Sequence, residues 1–404
     1  MLRFYLTILS LCFAVLTQAQ AQTQTSQTYS FKDVTKSHLP KGLVGRCMDT
    51  ASHDFDKDGD IDIMLAMEFS HNLLLINNGK GKFTLGADMP KTKRDSEDIA
   101  VADFNGDGNS DVIIVSEDDR TNEYYLNQGA GKFIDVSERL PLEGESNAIV
   151  TADINGDGAP DVLIGNVGRL GLLINDGKGN FIDESKKRLP YKNHRVQDLA
   201  LVDIDNDGDL DILTADEVLN RILINNGKGV FTNETKARFP NHLDMTREVI
   251  TADVDNDGDI DIFYANVANK PEEATNRLLI NNLNNQGLGY FSDASQTLLP
   301  TELAQSNFTA RFTNLNNDNH PDLLVPSSHI KNTNNGAIRF YINDGKGAFK
   351  PIKMKTPWPT GNGFDVAEAD FNGDGIADYY LCNRARRGFS ESQGGFDRLM
   401  FGVR

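Results

Sequence analysis

Cysteine is scarce, with three in 404 residues. That excludes a disulfide scaffold and a thiolate zinc module. Positive charge is also short: 40 lysines and arginines face 59 aspartates and glutamates, a net of -19. A nucleic-acid partner is excluded with it, because such a surface must replace phosphate counterions with basic side chains. No apolar run beyond Leu16 is long enough to cross a bilayer. Proline numbers 13 against 35 glycines, which fits a turn-rich folded chain and not a proline-rich disordered one. There is no Gly-x-Ser-x-Gly elbow, no His-Glu-x-x-His and no phosphate loop, and the seven histidines show no metal-ligand spacing.

The first segment reads as an address. Arg3 precedes an apolar run from Phe4 to Leu16, followed by Ala19-Gln20-Ala21. This is the pattern of a secretory signal, and the run is short for a membrane span. Cys12 falls within the removed peptide, since Leu11 stands where a lipoprotein signal wants a small residue. The expected organisation is a signal peptide over 1–21, a polar tether over 22–28 and one domain over 29–404. The mature chain is expected outside the cytoplasm, secreted or periplasmic, without a transmembrane anchor.

The remainder repeats one unit seven times. An acidic nonapeptide starts at Asp54, Asp103, Asp153, Asp203, Asp253, Asn314 and Asp370, at spacings of 49, 50, 50, 50, 61 and 56 residues. Each unit has a short alternating run, the acidic loop, an apolar run, a variable loop, and a hairpin around Asn-Asn-Gly-Lys-Gly, as at Asn225 to Gly229. A proline closes every unit, at Pro40, Pro90, Pro141, Pro190, Pro240, Pro300 and Pro359. Four strands per unit at this period point to a propeller. The last unit lacks its fourth strand, and Phe31 to Pro40 matches that missing piece as it stands at Phe181 to Pro190. The expected fold is therefore all-β, a seven-bladed propeller whose N-terminal strand completes the last blade and removes an exposed sheet edge.

The loops have the chemistry of a calcium site. Loops one, four and five place aspartate at positions 1, 3, 5, 7 and 9: Asp54, Asp56, Asp58, Asp60, Asp62; Asp203, Asp205, Asp207, Asp209, Asp211; Asp253, Asp255, Asp257, Asp259, Asp261. Loops two, three and seven put asparagine third and vary at position 7: Asp103, Asn105, Asp107, Asn109, Asp111; Asp153, Asn155, Asp157, Ala159, Asp161; Asp370, Asn372, Asp374, Ile376, Asp378. The sixth loop has Asn314, Asn316, Asp318 and Asp322, with Asn319 in place of glycine and His320 seventh, and is expected to be the weak one. Calcium takes six to eight oxygen ligands, and a variable seventh position is what a backbone carbonyl ligand leaves behind. Six Ca2+ sites and a weak seventh are expected. Position 2 is always apolar (Phe55, Phe104, Ile154, Ile204, Val254, Leu315, Phe371), which pins the loop into the core. An EF-hand is excluded, because position 12 is an apolar or threonine strand residue where that loop needs glutamate. The ninth-position aspartate takes the glutamate's place. Positions 1, 3, 5 and 9 hold 23 carboxylates: four in each of three loops, three in each of three and two in the sixth. Without them the mature chain turns slightly positive.

The loop pattern Asp-x-[Asp/Asn]-x-Asp-Gly-x-x-Asp, with Leu-x-x-Asn-[Asn/Asp]-Gly-Lys-Gly-x-Phe downstream, resembles the FG-GAP/VCBS repeat family over residues 29–404. That family includes the propeller of integrin alpha chains, bacterial secreted proteins and fungal lectins. The resemblance implies a seven-bladed propeller with calcium in the loop between the first and second strands of each blade. It implies no single activity. The Phe-Gly-Gly-Ala-Pro signature is not evident, which points away from an integrin-type ligand function.

Three functions are open at this level. One is a non-catalytic binding propeller for a glycan or an extracellular or envelope protein. Another is a polysaccharide-active enzyme of lyase type. The third is a scaffold subunit that only contacts other envelope proteins. The loops after the second strand lengthen in the last three units, and long loops on a rigid scaffold are the default binding region. They carry His329, Lys331, Arg384, Arg386, Arg387 and Phe389, and Trp358 lies in the adjoining loop. Arginines beside an aromatic suit an acidic sugar. A lyase would use His329 as base against the Arg384–Arg387 clamp. Packing is the competing role of Trp358, which precedes the repeat proline where other units have Leu39, Met89, Leu140, Leu189, Phe239 and Leu299.

Two further features belong to the ring. A carboxylate stands five residues before the loop at Asp49, Asp98, Asp198, Glu248 and Asp365. The favoured role is capping of neighbouring backbone amides, and the alternative is a ring at the mouth of the channel. Cys47 and Cys382 fall in blades that adjoin in a closed ring, so an oxidising compartment permits a disulfide between them. Bridging geometry is not readable from sequence.

Overall fold

Alternating apolar residues make strands here, and glycine-rich turns end them. The third unit shows the pattern, with strands Ser146–Ala152, Asp161–Asn166, Leu170–Asn175 and Phe181–Asp183 paired antiparallel in chain order. The second strand carries Val162, Leu163 and Ile164, all buried because both of its faces are covered. The computed structural model describes residues 30–41, 43, 45–86, 89, 92–190, 195–268, 275–282, 287–303, 307–326, 338–352, 363–383 and 397–403.

The architecture is all-β, built of four-stranded antiparallel blades, six or more in number. Five four-stranded sheets stand separately, and units one and two share an eight-stranded sheet joined at Glu68↔Asp95 and Ser70↔Arg94. The N-terminal strand Ser30–Asp33 lies outermost in the last sheet, with Phe31 opposite Gly402, as the matching fragments predict.

The buried apolar residues form clusters between consecutive units. One is shared by Phe104 and Tyr124 of unit two with Ile149 and Val162 of unit three. Another joins unit seven to unit one through Phe371, Tyr380 and Leu399 against Ile63, Leu65 and Phe83. The second-position residues of the acidic loops are buried in these clusters, Phe104 at 0% and Ile154 at 3% exposure. Cys47 and Cys382 are joined by a disulfide, with Cα atoms 5.2 Å apart.

The segment after the outer strand differs from the expected loop. It forms single helical turns at Thr35–His38, Ser185–Arg188, Thr235–Arg238 and Ser295–Leu298. The reason is a local cap: Asp183 Oδ1 accepts the Ser185 amide at 2.9 Å, and Asp33 and Asp293 do the same for Thr35 and Ser295.

Phe31 seats the N-terminal strand, stacked on Phe340 at 5.6 Å and edge-on to Tyr379 at 5.5 Å. Phe31→Ala should lower folding stability by roughly 3 kcal/mol, read as a lower denaturant midpoint at unchanged slope. An unchanged midpoint would show that this strand does not hold the last sheet.

Candidate metal loops and a candidate binding cavity

The acidic loops share one local geometry. The first-position carboxylate folds back on the loop's own amides: Asp103 Oδ1 accepts Asp107 N at 3.1 Å and Oδ2 accepts Gly108 N at 2.7 Å. The sixth-position glycines have φ near +90°, +95° and +94° at Gly158, Gly208 and Gly258, a region that other residues enter at a cost. Asn319 takes that place in loop six at φ +68°.

The ninth-position aspartate has a second task that its place in the motif does not announce. Its two oxygens tie the loop to the third strand. Asp161 Oδ2 accepts Ile154 N at 3.2 Å, and Oδ1 accepts Asn175 N at 2.9 Å. The same pair of bonds recurs at Asp62, Asp111, Asp211, Asp261 and Asp322. Asp378 makes the variant pair, to Asn372 N and Gly402 N. Burial pushes the carboxyls of Asp62, Asp111, Asp211, Asp261 and Asp378 up to about 7, and those of Asp161 and Asp322 up to about 6.

The donor set fits a hard cation best in loops one, four and five. Carboxylate oxygens of Asp54, Asp56 and Asp58 lie within 4.8 Å of one another, as do those of Asp203, Asp205 and Asp211, and of Asp253, Asp255 and Asp261. Asp205, Asp253 and Asp255 each keep a buried Oδ1 without a hydrogen-bond partner. Desolvated carboxylates at this spacing repel unless a cation joins them. Where asparagine is third, its amide stands in: Asn155 Nδ2 donates to Asp157 Oδ2 at 2.9 Å, and Asn316 Nδ2 to Asp318 Oδ2 at 2.7 Å.

Two sets of straps cross between units. On the loop side, the asparagine that ends the third strand donates back to the second-position carbonyl of the preceding unit. Asn127 Nδ2 reaches Phe55 O at 2.8 Å, Asn175 reaches Phe104 O at 2.9 Å, and Asn77 reaches Phe371 O of the last unit at 2.8 Å. The signal for these was the fixed asparagine of Leu-x-x-Asn, read from sequence only as a turn residue. At the other end of the inner strand, the five noted carboxylates do cap backbone amides, but those of the next unit. Asp49 Oδ2 accepts Ile99 N at 3.1 Å, Asp98 accepts Ile149 N at 2.7 Å, Asp198 accepts Val249 N at 2.8 Å, and Glu248 accepts Ala310 N at 2.6 Å. Asp365 of the last unit accepts Thr50 N of the first at 3.0 Å. Burial and mutual repulsion raise the carboxyls of Asp49 and Glu248 well above the usual range, and that of Asp198 to about 7.

These carboxylates also floor a cavity of about 440 Å³, at the end of the inner strands away from the acidic loops. Its rim holds the residue six before each acidic loop: Met48, Glu97, Asn147, Gln197, Arg247, Phe308 and Phe364. Six of them are the extra residue of a β-bulge. Register slips between Cys47 and Asp49, Ser96 and Asp98, Ser146 and Ala148, Val196 and Asp198, Thr246 and Glu248, and Gly363 and Asp365. A bulge breaks the in-out alternation and re-aims one side chain, here into the cavity. Sequence reading missed these positions. Their signal was a place beside a repeated carboxylate where the units hardly agree.

The rim is zoned. Glu68, Glu97 and Glu117 make one side acidic. Arg195 pairs with Glu217 at 3.5 Å, and Arg247 lies over the Phe308 ring at 5.6 Å, with Phe364 5.0 Å from Phe308. Asn147 Oδ1 and Arg247 Nε are buried without hydrogen-bond partners. The sequence-predicted ligand residues His329, Lys331, Trp358, Arg384, Arg386, Arg387 and Phe389 lie outside the described residues, and with them the base and clamp of the enzyme alternative.

A β-propeller of four-stranded blades with an acidic loop after each inner strand is thus the class of protein. The chain belongs to the FG-GAP-like repeat family, whose repeats match residues 54–114, 103–164, 153–214, 203–264, 253–325 and 314–381. No curated protein matches it. Among similar solved structures is an Agrocybe aegerita lectin that recognises non-reducing terminal N-acetylglucosamine: 17% identity, TM-score 0.53, covering 90% of this chain and 87% of the other. Another is BBS1N in complex with ARL6DN, at 11% identity and TM-score 0.55, covering 89% and 93%. YCF48 bound to D1 peptide is a third, at 12% and 0.52, covering 93% and 95%. These likenesses establish the fold alone.

Proposed function

We propose that this chain is a secreted or periplasmic, calcium-stabilised propeller that binds a glycan at its central cavity without transforming it. The observation that carries the reading is the rim. Six bulges aim six different side chains into one cavity floored by repeated carboxylates. In a repeated scaffold, positions that differ from unit to unit are free to serve an asymmetric ligand. Two phenylalanines, an arginine, two amides and carboxylates offer a stacking face with donors and acceptors for hydroxyls. A cavity of about 440 Å³ suits a small saccharide end group.

The ring is read as seven blades and closed. Support comes from seven inter-unit clusters, the outer seat of Ser30–Asp33, the Thr50–Asp365 and Asn77–Phe371 straps, and the disulfide. The disulfide also fits an oxidising compartment. No helix among the described residues is long and apolar enough to cross a membrane. Calcium belongs in six of the seven loops, and loop six is the weak seventh.

The test is retention of the mature protein on acidic and neutral polysaccharides, followed by Phe364→Ala and Arg247→Ala. Selective retention should weaken roughly 30-fold on removing either anchor, the effect of losing about 2 kcal/mol at a binding hot spot. Retention that survives both substitutions places the ligand elsewhere. No retention on any polymer of the panel removes the glycan reading for that panel.

A further inference from the structure

Unit two has carboxylates at three positions that no sister unit fills with acids all together. Asp95 and Glu97 lie on the inner strand Arg94–Ala102, and Glu117 follows the second strand Asp111–Ser116. The Glu117 amide donates to the Asp95 carbonyl at 3.1 Å, which holds the two residues side by side. The bulge at Glu97 turns its side chain toward the same spot. Oxygens of all three carboxylates lie within 4.8 Å of one another.

Asp95 supplies the independent sign of a missing partner. It is 5% exposed, and its Oδ1 is buried with no hydrogen-bond partner among the described residues. Its Oδ2 accepts the Asp118 amide at 3.4 Å. Glu68 sits opposite Asp95 in the sheet register and adds a further negative charge. Burial foremost, with the charges of Glu68, Asp118 and Glu117, pushes the Asp95 carboxyl up to about 6. The nearby guanidinium of Arg195 approaches Glu117 only to 3.8 Å and stands closer to Glu217, at 3.5 Å.

The repeat carries its own comparison. Eight residues before the acidic loop, unit four has Arg195 where unit two has Asp95. There the arginine pairs with Glu217, the counterpart of Glu117, and Gln197 replaces Glu97. The same three positions are thus met in unit four by an internal cation and an amide. In unit two the same positions are an aspartate and two glutamates, and the cations beside them, Arg195 at 3.8 Å from Glu117 and Arg247 near Glu97 and Glu117, come from other units.

We propose that Asp95, Glu97 and Glu117 form a binding site for a hard divalent cation of the calcium type, at the cavity rim and separate from the acidic loops. Three carboxylates do not complete a shell of six to eight oxygens. The remaining positions belong to water or to ligand hydroxyls in the cavity, a role that rests on the glycan reading above. The site itself does not.

The experiment counts bound calcium on the mature chain by equilibrium dialysis with radioactive calcium. It compares wild type, the Asp95→Asn/Glu97→Gln double variant, and loop variant Asp255→Asn. The double variant should bind one calcium fewer per chain than wild type. Combined with the loop change, the losses should add, because the sites lie at opposite ends of the inner strands. Equal counts in wild type and a folded double variant overturn the proposal. If the double variant does not elute as the wild type does, as a folded species, Glu117→Gln replaces it. One site should then weaken at least tenfold, and an unchanged binding curve overturns the proposal equally. Polysaccharide retention is not part of this count, so failure here leaves the glycan reading to its own test.

Discussion

Chelating calcium should lower the melting midpoint by roughly 10 °C. At about 1 mM calcium and a dissociation constant of ~0.1 mM, each site adds about 1.4 kcal/mol, and six add about 8 kcal/mol. A chain of this size shifts by roughly 2 °C or less per kcal/mol. The structure supplies the reason. In loops one, four and five, three carboxylates crowd within 4.8 Å, and Asp205, Asp253 and Asp255 keep buried oxygens without partners. The pH dependence should reverse with the metal. The ninth-position carboxyls stand at about 6 to 7 in the folded chain against 3.8 as the ordinary value. A raised folded value means that, without a cation, their contribution to stability is complete below about pH 4 and is lost as pH rises through 7. In EDTA the midpoint should therefore climb from pH 7.5 to pH 5. In calcium it should fall over the same range, because protons compete with the ion for the same oxygens. Scanning calorimetry at three pH values in each medium reads both slopes. Parallel slopes, or a midpoint indifferent to EDTA, would remove calcium from the account of this fold.

Replacing Cys47 and Cys382 by serine should cost about 4 kcal/mol. The bond closes a loop with a sequence separation of 335, so nearly the whole chain is constrained in its unfolded state. Chain entropy alone gives roughly 6 kcal/mol for a loop so long, and measured bridges typically give about 2–4 kcal/mol. The midpoint should fall by roughly 5–8 °C. The fold should survive at room temperature, because the N-terminal strand, the Thr50–Asp365 bond and the Asn77–Phe371 bond join the same two units. Combining the change with Phe31→Ala should cost more than the sum of the two, since each alone leaves the other closure in place. Intact mass after alkylation of the purified protein, unfolded in denaturant without reductant, shows whether the bond is present, since Cys47 and Cys382 are both 0% exposed in the fold. Free thiols at both positions, or a double-serine variant as stable as wild type, would assign closure to the strand alone.

Much of the fold was legible because its causes are local. The acidic nonapeptide, the apolar residue at its second position and the asparagine-glycine hairpin each act within one unit, and the structure has them where the pattern put them. Phe104 is fully buried, and Asp103 folds onto its own loop amides. The match of Phe31 to Phe181 was enough to seat the N-terminal strand against Arg398–Val403. The five carboxylates before the loops were legible as amide caps. Their acceptor role was local chemistry, but the donor amide lies some 50 residues further on, as from Asp98 to Ile149. The rim residues were not legible at all. Glu97, Gln197 and Arg247 look like ordinary strand positions until the partner strand slips by one residue and turns them inward.

By itself, then, the sequence determined the repeat, the strand order within each unit, the acidic loops and the place of the N-terminal strand in the last sheet. All of these depend on neighbours a few residues apart, or on one unit resembling another. The tertiary structure alone decided which units touch, that Cys47 meets Cys382, and that six bulges converge on one cavity. It also decided that Asp95, Glu97 and Glu117 share a corner. Those relations depend on the register and curvature of packed sheets, which bring together residues that no local pattern links.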